Sequence, residues 1–415
     1  MNPNRLRTLA RWFALCCLAL GLLFSQAGCV HITPTPEPAT VRFMCPAEQH
    51  AHYGPLIEQF TKKNKHITIE LVEPVGYRWP EADVFETSPF MRRFMGAEEE
   101  FGVIDLLPYV DQGEFERQDY RAGLMAMFED EEEGEIWAAP YTIGLGVMYY
   151  NRDLFDRYDV DYPTVDWTWE DFQGAAQKMY DPGRGVFGYV PDADHNDIIA
   201  MVYQNGGRIF DDFSNPTRTT FDEPLTVEAV EWYAKLMFEY DAMPTPKQAR
   251  AAFGLTGYNE TGIREGRVGM WNGTLPGSAA EIQSEEWEFS WGVAPLPKNQ
   301  QSATFAFVEG LVINKQAESP DACWLWIDFL TRQAPPIGMP VRQSIIDSKE
   351  FEESVGGEVA VVARASIEHA LFFSPSGFDI YGSFQLFDEA INKVTAEMAT
   401  VQEALDAAQA ASQYK

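Results

Sequence analysis

Basic side chains are scarce in this sequence: 31 Lys and Arg stand against 63 Asp and Glu, a formal net charge of −32. A polyanion repels phosphate backbones and anionic lipid surfaces, so nucleic acid is excluded as an expected partner. The acids are dispersed apart from runs such as Glu98 to Glu100 and Glu129 to Glu133, which read as solvated turns. Cysteine is scarcer still, and beyond residue 29 only Cys45 and Cys323 remain. That excludes a disulfide framework, while one bridge and two buried thiols both stay open. Histidine is limited to six residues, with one close pair, His50 and His52. Catalytic signatures are missing too: there is no Gly-x-Ser-x-Gly elbow, no His-Glu-x-x-His helix and no P-loop lysine motif. Nor is there an internal repeat. The apolar run from Trp12 to Phe24 has only 13 residues. As a helix it would reach about 20 Å, against about 30 Å of bilayer hydrocarbon, too short for a comfortable span.

Arg5, Arg7 and Arg11, with no acid among them, precede that run, which is the layout of a secretory signal. Ala27 and Gly28 lead into Cys29, and a proline-rich stretch through Thr40 follows that cannot form a helix. The segment resembles a bacterial lipoprotein signal: residues 1–28 the signal peptide, Cys29 the acylated first residue, and 29–40 the tether. Gln26 stands where that pattern prefers Leu. A plain signal peptide, with Cys29 left as an ordinary thiol, is the alternative.

With 46% hydrophobic and 13% aromatic residues the remaining chain can bury large cores. Chains beyond about 250 to 300 residues usually divide, so two lobes are expected. Strands are predicted from Val41, at Ile67 to Val72, Asp83 to Thr87, Ile136 to Ala139 and Leu145 to Tyr150, with a helix over Tyr53 to Lys63. This alternation implies βα units and a mainly parallel sheet. Thr168 to Asp171 reads as a capping box opening a helix to Met179. Helices also follow over Thr226 to Tyr240, from Ser319 to about Thr331, and in the C-terminal tail.

Several segments in order resemble the family 1 extracellular solute-binding proteins, the maltose-binding-protein-like group that serves sugar ABC transporters. They are Gly146 to Asp156 (GVMYYNRDLFD), Thr168 to Phe172 (TWEDF), Gln204 to Gly207 (QNGG), Gly266 to Trp271 (GRVGMW), Trp291 to Pro297 (WGVAPLP), Ser319 to Leu330 (SPDACWLWIDFL) and Met339 to Arg342 (MPVR). Each is weak alone; seven in register across most of residues 136 to 345 are specific. One departure is the short stretch between Val72 and Asp83, with Pro74 and Pro80, where the family usually places a helix.

The resemblance implies an α/β fold of periplasmic-binding-protein type II, with mainly parallel sheets flanked by helices and a ligand cleft between two lobes. Lobe I would comprise 41–140 plus 309–340 and lobe II 141–308 plus 341–415. The crossings fall near Pro140 to Ile143, Ala306 to Gly310 and Met339 to Arg342. It further implies a monomer that captures a carbohydrate outside the cytoplasm without a cofactor, closes about its hinge, and delivers the solute to the membrane subunits of an ABC permease while a lipid at Cys29 holds it to the membrane.

Sugar recognition needs flat aromatic faces together with planar carboxylates, amides and guanidinium forks. Trp271, with Asn272, is the stacking candidate, unless it covers its own lobe's core. Glu86 and Ser88 follow the Ala-Asp-Val strand where family members present polar groups, and Glu48 and Gln49 follow the first strand in the same way. Tyr141 and Glu309 lie beside crossings and would touch ligand or fix the hinge. Tyr203 and Asn205 belong to the Asn-Gly-Gly turn, and Arg342 would bind ligand or stitch the lobes together. Trp169 reads as structural, and Trp167 is undecided. Two rival readings are an exported glycosidase, which would also need a carboxylate pair, and a metal-capture protein using His50 and His52.

Overall fold

The computed structural model describes residues 37–74, 82–94, 102–112, 115–121, 123–130, 134–191, 196–213, 215–254, 258–278, 281–282, 287–372 and 379–412. The export signal, Cys29, the tether as far as residue 36, the run Glu98 to Glu100, Glu131 to Glu133, and residues 75–81 between Val72 and Asp83 lie outside the described residues.

Alternating apolar residues place Val41 and Phe43 of strand β1 (Ala39–Met44) on a fully buried face. β1 pairs in parallel with β2 (Ile67–Val72) and β3 (Val84–Thr87). Helix α1 (His50–Lys63) joins β1 to β2 and buries Tyr53 and Phe60. A two-stranded ribbon of β4 (Glu129–Asp130) and β5 (Glu135–Ile136) precedes β6 (Ala139–Asn151), whose 13 residues make it the longest strand described. Beyond it come α2 (Trp169–Lys178), β7 (Phe187–Val190), α3 (Asn196–Gln204), α4 (Pro224–Phe238), β8 (Val268–Thr274), β9 (Trp291–Ala294) and β10 (Thr304–Ile313). The chain ends with α5 (Pro320–Thr331), β11 (Met339–Pro340), α6 (Gly357–Ile367), β12 (Ala370–Leu371), α7 (Ile380–Thr395) and α8 (Val401–Ser412). α2 opens with the expected capping box: Thr168 Oγ1 accepts from Asp171 N, and the Asp171 carboxylate accepts from Thr168 N at 2.8 Å.

The strand order is β2-β1-β3-β10-β6-β8-β7. β6 and β10 run through both halves. The first half of β6 pairs with β10, and its second half pairs with β8 and β9. The mainly parallel pairing expected holds for β1 with β2 and β3, for β7 with β8 and for β10 with β12; β6 pairs antiparallel with β8, β9, β10 and β11, and β10 antiparallel with β3, so the sheet is mixed. A strand that passes from one half-sheet to the other needs no helical crossover and can return beside its neighbour in the opposite sense.

Each half-sheet has its own helical cover, the two-lobed architecture expected. α5 returns late in the chain to pack on β1 and α1, where the buried Trp326 meets Phe43 at 5.8 Å and Phe60 at 5.0 Å. α6 packs on β6 and β9, and α8 on α4. Where the halves meet, β10 and β11 flank β6 on opposite edges: Thr142 pairs with Glu309 on one side and Pro340 on the other. Behind this junction the Glu281 carboxylate accepts from the backbone N–H groups of Gly277 and Gly338. A Cβ on Gly277 would collide with the Gly338 carbonyl, so only glycine permits that approach. Among the described residues no helix is long and apolar enough to cross a membrane.

Candidate functional site

β3 and β10 meet in antiparallel register, with Glu86 opposite Leu311 and therefore two residues along from Glu309. The two carboxyls come within electrostatic reach of one another. Tyr53, from α1, donates its hydroxyl to Glu86 Oε1 at 3.2 Å and lies 3.4 Å from the Tyr141 hydroxyl. Burial is the main force on this group. It pushes the Glu86 carboxyl up to about 7, against the opposing pull of the Tyr53 hydrogen bond. It also pushes Glu309 up to about 7, with the charge of Glu86 adding to the effect. Tyr53 and Tyr141 are raised by burial in the same way, and the Cys45 thiol is pushed up to about 12, with Glu86 and Glu48 contributing.

β10 supplies an aromatic face beside this pair. Phe307 and Glu309 are alternate residues, and the register shift in β10 falls after Glu309, so both side chains leave the same face of the strand. Phe307 is 49% exposed although Phe305, Ala306 and Val308 around it are buried. Its cross-strand partner is Gly144, where an added Cβ would meet the Thr274 methyl at 3.1 Å and Phe307 itself at 3.9 Å.

Of the residues anticipated from sequence, the fold brings Glu86, Tyr141 and Glu309 together, with Ser88 half-buried just past the end of β3 and Glu48 near Cys45. Gln49 is half-buried in a single 3₁₀ turn with Glu48. The others stand apart. Trp271 is 5% exposed and packs against its own lobe's aromatics, stacked on Tyr149 at 5.8 Å and edge-on to Trp287 at 5.0 Å. Its ring has no open face for a ligand in this conformation. Asn272, next to it on β8, pairs with Met148, and its buried Oδ1 has no hydrogen-bond partner among the described residues. Tyr203 is buried edge-on to Phe213. The Asn205 amide is used up in ties to distant segments, donating to the Leu225 carbonyl and accepting from Asn299. Arg342 is 2% exposed; it donates to the Thr331 carbonyl at 3.0 Å, reaches Asp119 at 3.5 Å and lies over the Tyr120 ring, so it stitches rather than binds. Trp169 is structural as expected, stacked on Trp232 at 4.0 Å, and Trp167 is buried with its N–H donated to the Pro295 carbonyl. Cys45 and Cys323 are both buried free thiols.

Sequence reasoning missed Phe307 and Tyr53. The signal for Phe307 was present in Thr304-Phe-Ala-Phe-Val-Glu-Gly310, where alternation sets an aromatic and an acid on one strand face. Tyr53 was read only as a helix start.

His50 places Nε2 3.3 Å from the Cys45 carbonyl, and among the described residues no group of three or more His, Cys, Asp or Glu is arranged to hold a metal. A separate hollow of about 390 Å³ lies beside β9, but its one lining carboxylate, Glu358, already pairs with Arg152. The unpaired chemistry is at the junction of the half-sheets.

An arabinooligosaccharide-binding protein of Halalkalibacterium halodurans is 28% identical over 110 residues, 26% of this chain and 24% of that protein. The chain spans between about a sixth and a half of the length of the curated relatives it matches. Among solved structures, an ABC substrate-binding protein from Listeria monocytogenes in complex with cycloalternan superposes with a TM-score of 0.72 at 20% identity, over 91% of this chain and 99% of that one. The UgpB protein of Mycobacterium tuberculosis in complex with glycerophosphocholine gives 0.69 at 18% identity, over 92% and 98%. These likenesses establish the fold. Residues 49–335, well over half of the sequence, match the bacterial extracellular solute-binding protein family, and the chain belongs to that family.

Proposed function

We propose that this protein is the solute-capturing component of an ABC importer and that its cargo is a carbohydrate. The observation that carries this reading is the exposed Phe307 ring on the same strand face as Glu309, where β6, β10 and β11 run side by side. An aromatic face receives the apolar side of a sugar ring while carboxyls take its hydroxyls. Glu86, Ser88, Tyr141 and Glu309 are the polar contacts in this reading, with Phe307 in the stacking role first given to Trp271. The lobes are 41–140 with 309–340 and 141–308 with 341–415. Contacts from both favour the closed form, because a ligand shifts such an equilibrium by its differential affinity for the two states. Outside the cytoplasm, lipid on Cys29 and the tether to residue 40 keep this monomer beside the permease.

A carboxyl pair is also what glycoside hydrolysis uses, but that chemistry needs one acid held neutral and one held ionised. Glu86 and Glu309 are both pushed upward, to about 7, chiefly by burial. That suits binding better than acid–base division of labour.

The test is a thermal-shift and calorimetric screen of the protein against mono- and oligosaccharides, polyols, peptides and divalent metals. A ligand at 100 times its Kd adds about 2.7 kcal/mol of stability. Phe307→Ala should weaken sugar binding about tenfold while leaving the unliganded melting point nearly unchanged, since the ring is half out of the fold. A shift from zinc or a peptide with silence from every sugar would refute the reading, as would release of reducing ends from a bound oligosaccharide.

A further inference from the structure

We infer that the solute is an amine-bearing carbohydrate, its ammonium seated between Glu86 and Glu309 with its ring against Phe307. This rests on the junction being the solute site and names what that site selects. Several other carboxylates in the fold have a guanidinium of their own, Asp83 with Arg42, Asp119 with Arg342, Asp328 with Arg332 and Glu358 with Arg152, while the half-buried Asp105, Asp211 and Glu281 accept from backbone N–H groups. Among the described residues Glu86 and Glu309 have no such guanidinium. The interactions of Glu86 are a phenol hydrogen bond and neighbouring acids, and Glu309 has only the charge of Glu86. Two half-buried carboxyls within electrostatic reach of one another repel when both ionise, and a cation bound beside both removes that repulsion.

Among the described residues the surroundings carry no substitute charge. Tyr53 from α1, Tyr141 from β6, Cys45 at the end of β1 and Glu48 beyond it are the titratable groups in electrostatic reach, and every one is neutral or acidic. The aromatic Phe307 adds a face that favours a cation over a neutral ring substituent. Charge and ring together describe an amino sugar: hydroxyls alone would leave the pair's charge unanswered, and an anionic sugar would be repelled by it. When the ammonium enters, the proton shared by the carboxyls near neutral pH leaves for solvent, so binding releases up to one proton per solute.

The test compares glucosamine, galactosamine and mannosamine, and the β-1,4-linked glucosamine oligomers, each with its neutral hydroxyl or N-acetyl counterpart, by calorimetry at pH 7 in two buffers of different ionisation enthalpy. An amine is expected to bind at least tenfold more tightly than its neutral counterpart, with proton release shown by the buffer dependence. Glu309→Gln should erase the preference and the proton release, and Phe307→Ala should weaken amine and neutral forms alike. A melting curve for each variant separates lost selectivity from lost folding. A neutral sugar that binds as tightly as its amine, or better, overturns this inference and leaves the carbohydrate reading standing. Silence from both series overturns both.

Discussion

Replacing Glu309 by Gln should stabilise the unliganded protein above neutral pH and do nearly nothing at pH 4.5. Burial, reinforced by Glu86, raises the folded-state carboxyl from 4.5 to about 7. Below 4.5 the group is neutral in both folded and unfolded chains. Between 4.5 and 7 the folded state holds a proton that the unfolded state has lost, so stability falls as pH rises through that window and levels off above it. At about 1.4 kcal/mol per pH unit the full shift corresponds to about 3 kcal/mol. Water at this half-buried carboxyl reduces that to about 1 to 2 kcal/mol. Glutamine keeps the shape and removes the charge, so its advantage should grow across the same window. Urea unfolding of both proteins at pH 4.5, 6, 7 and 8 measures it, and subtracting one curve from the other cancels every titrating group that is not coupled to Glu309 as Glu86 is. A difference that is flat with pH, or a glutamine variant less stable at pH 8, would refute the account of Glu309 as a buried, uncompensated acid.

Trp326→Ala removes a fully buried ring packed against Phe43, Phe60 and Phe329, and should cost about 3 to 5 kcal/mol by urea unfolding, the first half-sheet losing near-UV dichroism together with the rest. Arg342→Met leaves Asp119 with no guanidinium and the Thr331 carbonyl without its donor. A loss of about 3 kcal/mol is expected, read as a lower denaturation midpoint, with solute affinity unchanged because the arginine is enclosed away from the cleft. Thr168→Ala deletes the cap of α2 and should lower stability by about 1 kcal/mol, while Thr168→Ser restores most of it.

The sequence pattern carried the βα alternation, the capping box and the late helix of the first lobe, because each is set by residues close together in the chain. It misjudged what depends on distant neighbours. Strands are expected at Ile136 to Ala139 and Leu145 to Tyr150; in the fold Ala139 to Asn151 is one strand that carries Pro140 inside it, its missing N–H accommodated where the β10 register shifts at Glu309 and Gly310. The helix α1 is expected from Tyr53, yet it starts at His50 and carries Pro55 inside it. Trp271 was placed correctly on a strand after Gly-Met, but its cover comes from Trp287 and Phe289, and no local pattern reveals which face they occupy. Glu86 and Glu309 were each legible as candidates; that they form a pair follows only from the β3 and β10 register.

Trp326 has a consequence for the order of synthesis. The strand and helix it completes, β1 and α1, emerge at the beginning of the polypeptide, whereas α5 is made near its end. Chains are made from the N-terminus, and contacts between distant segments form slowly because the intervening loop must first be closed. The first lobe therefore stays without its central aromatic plug until most of the protein exists.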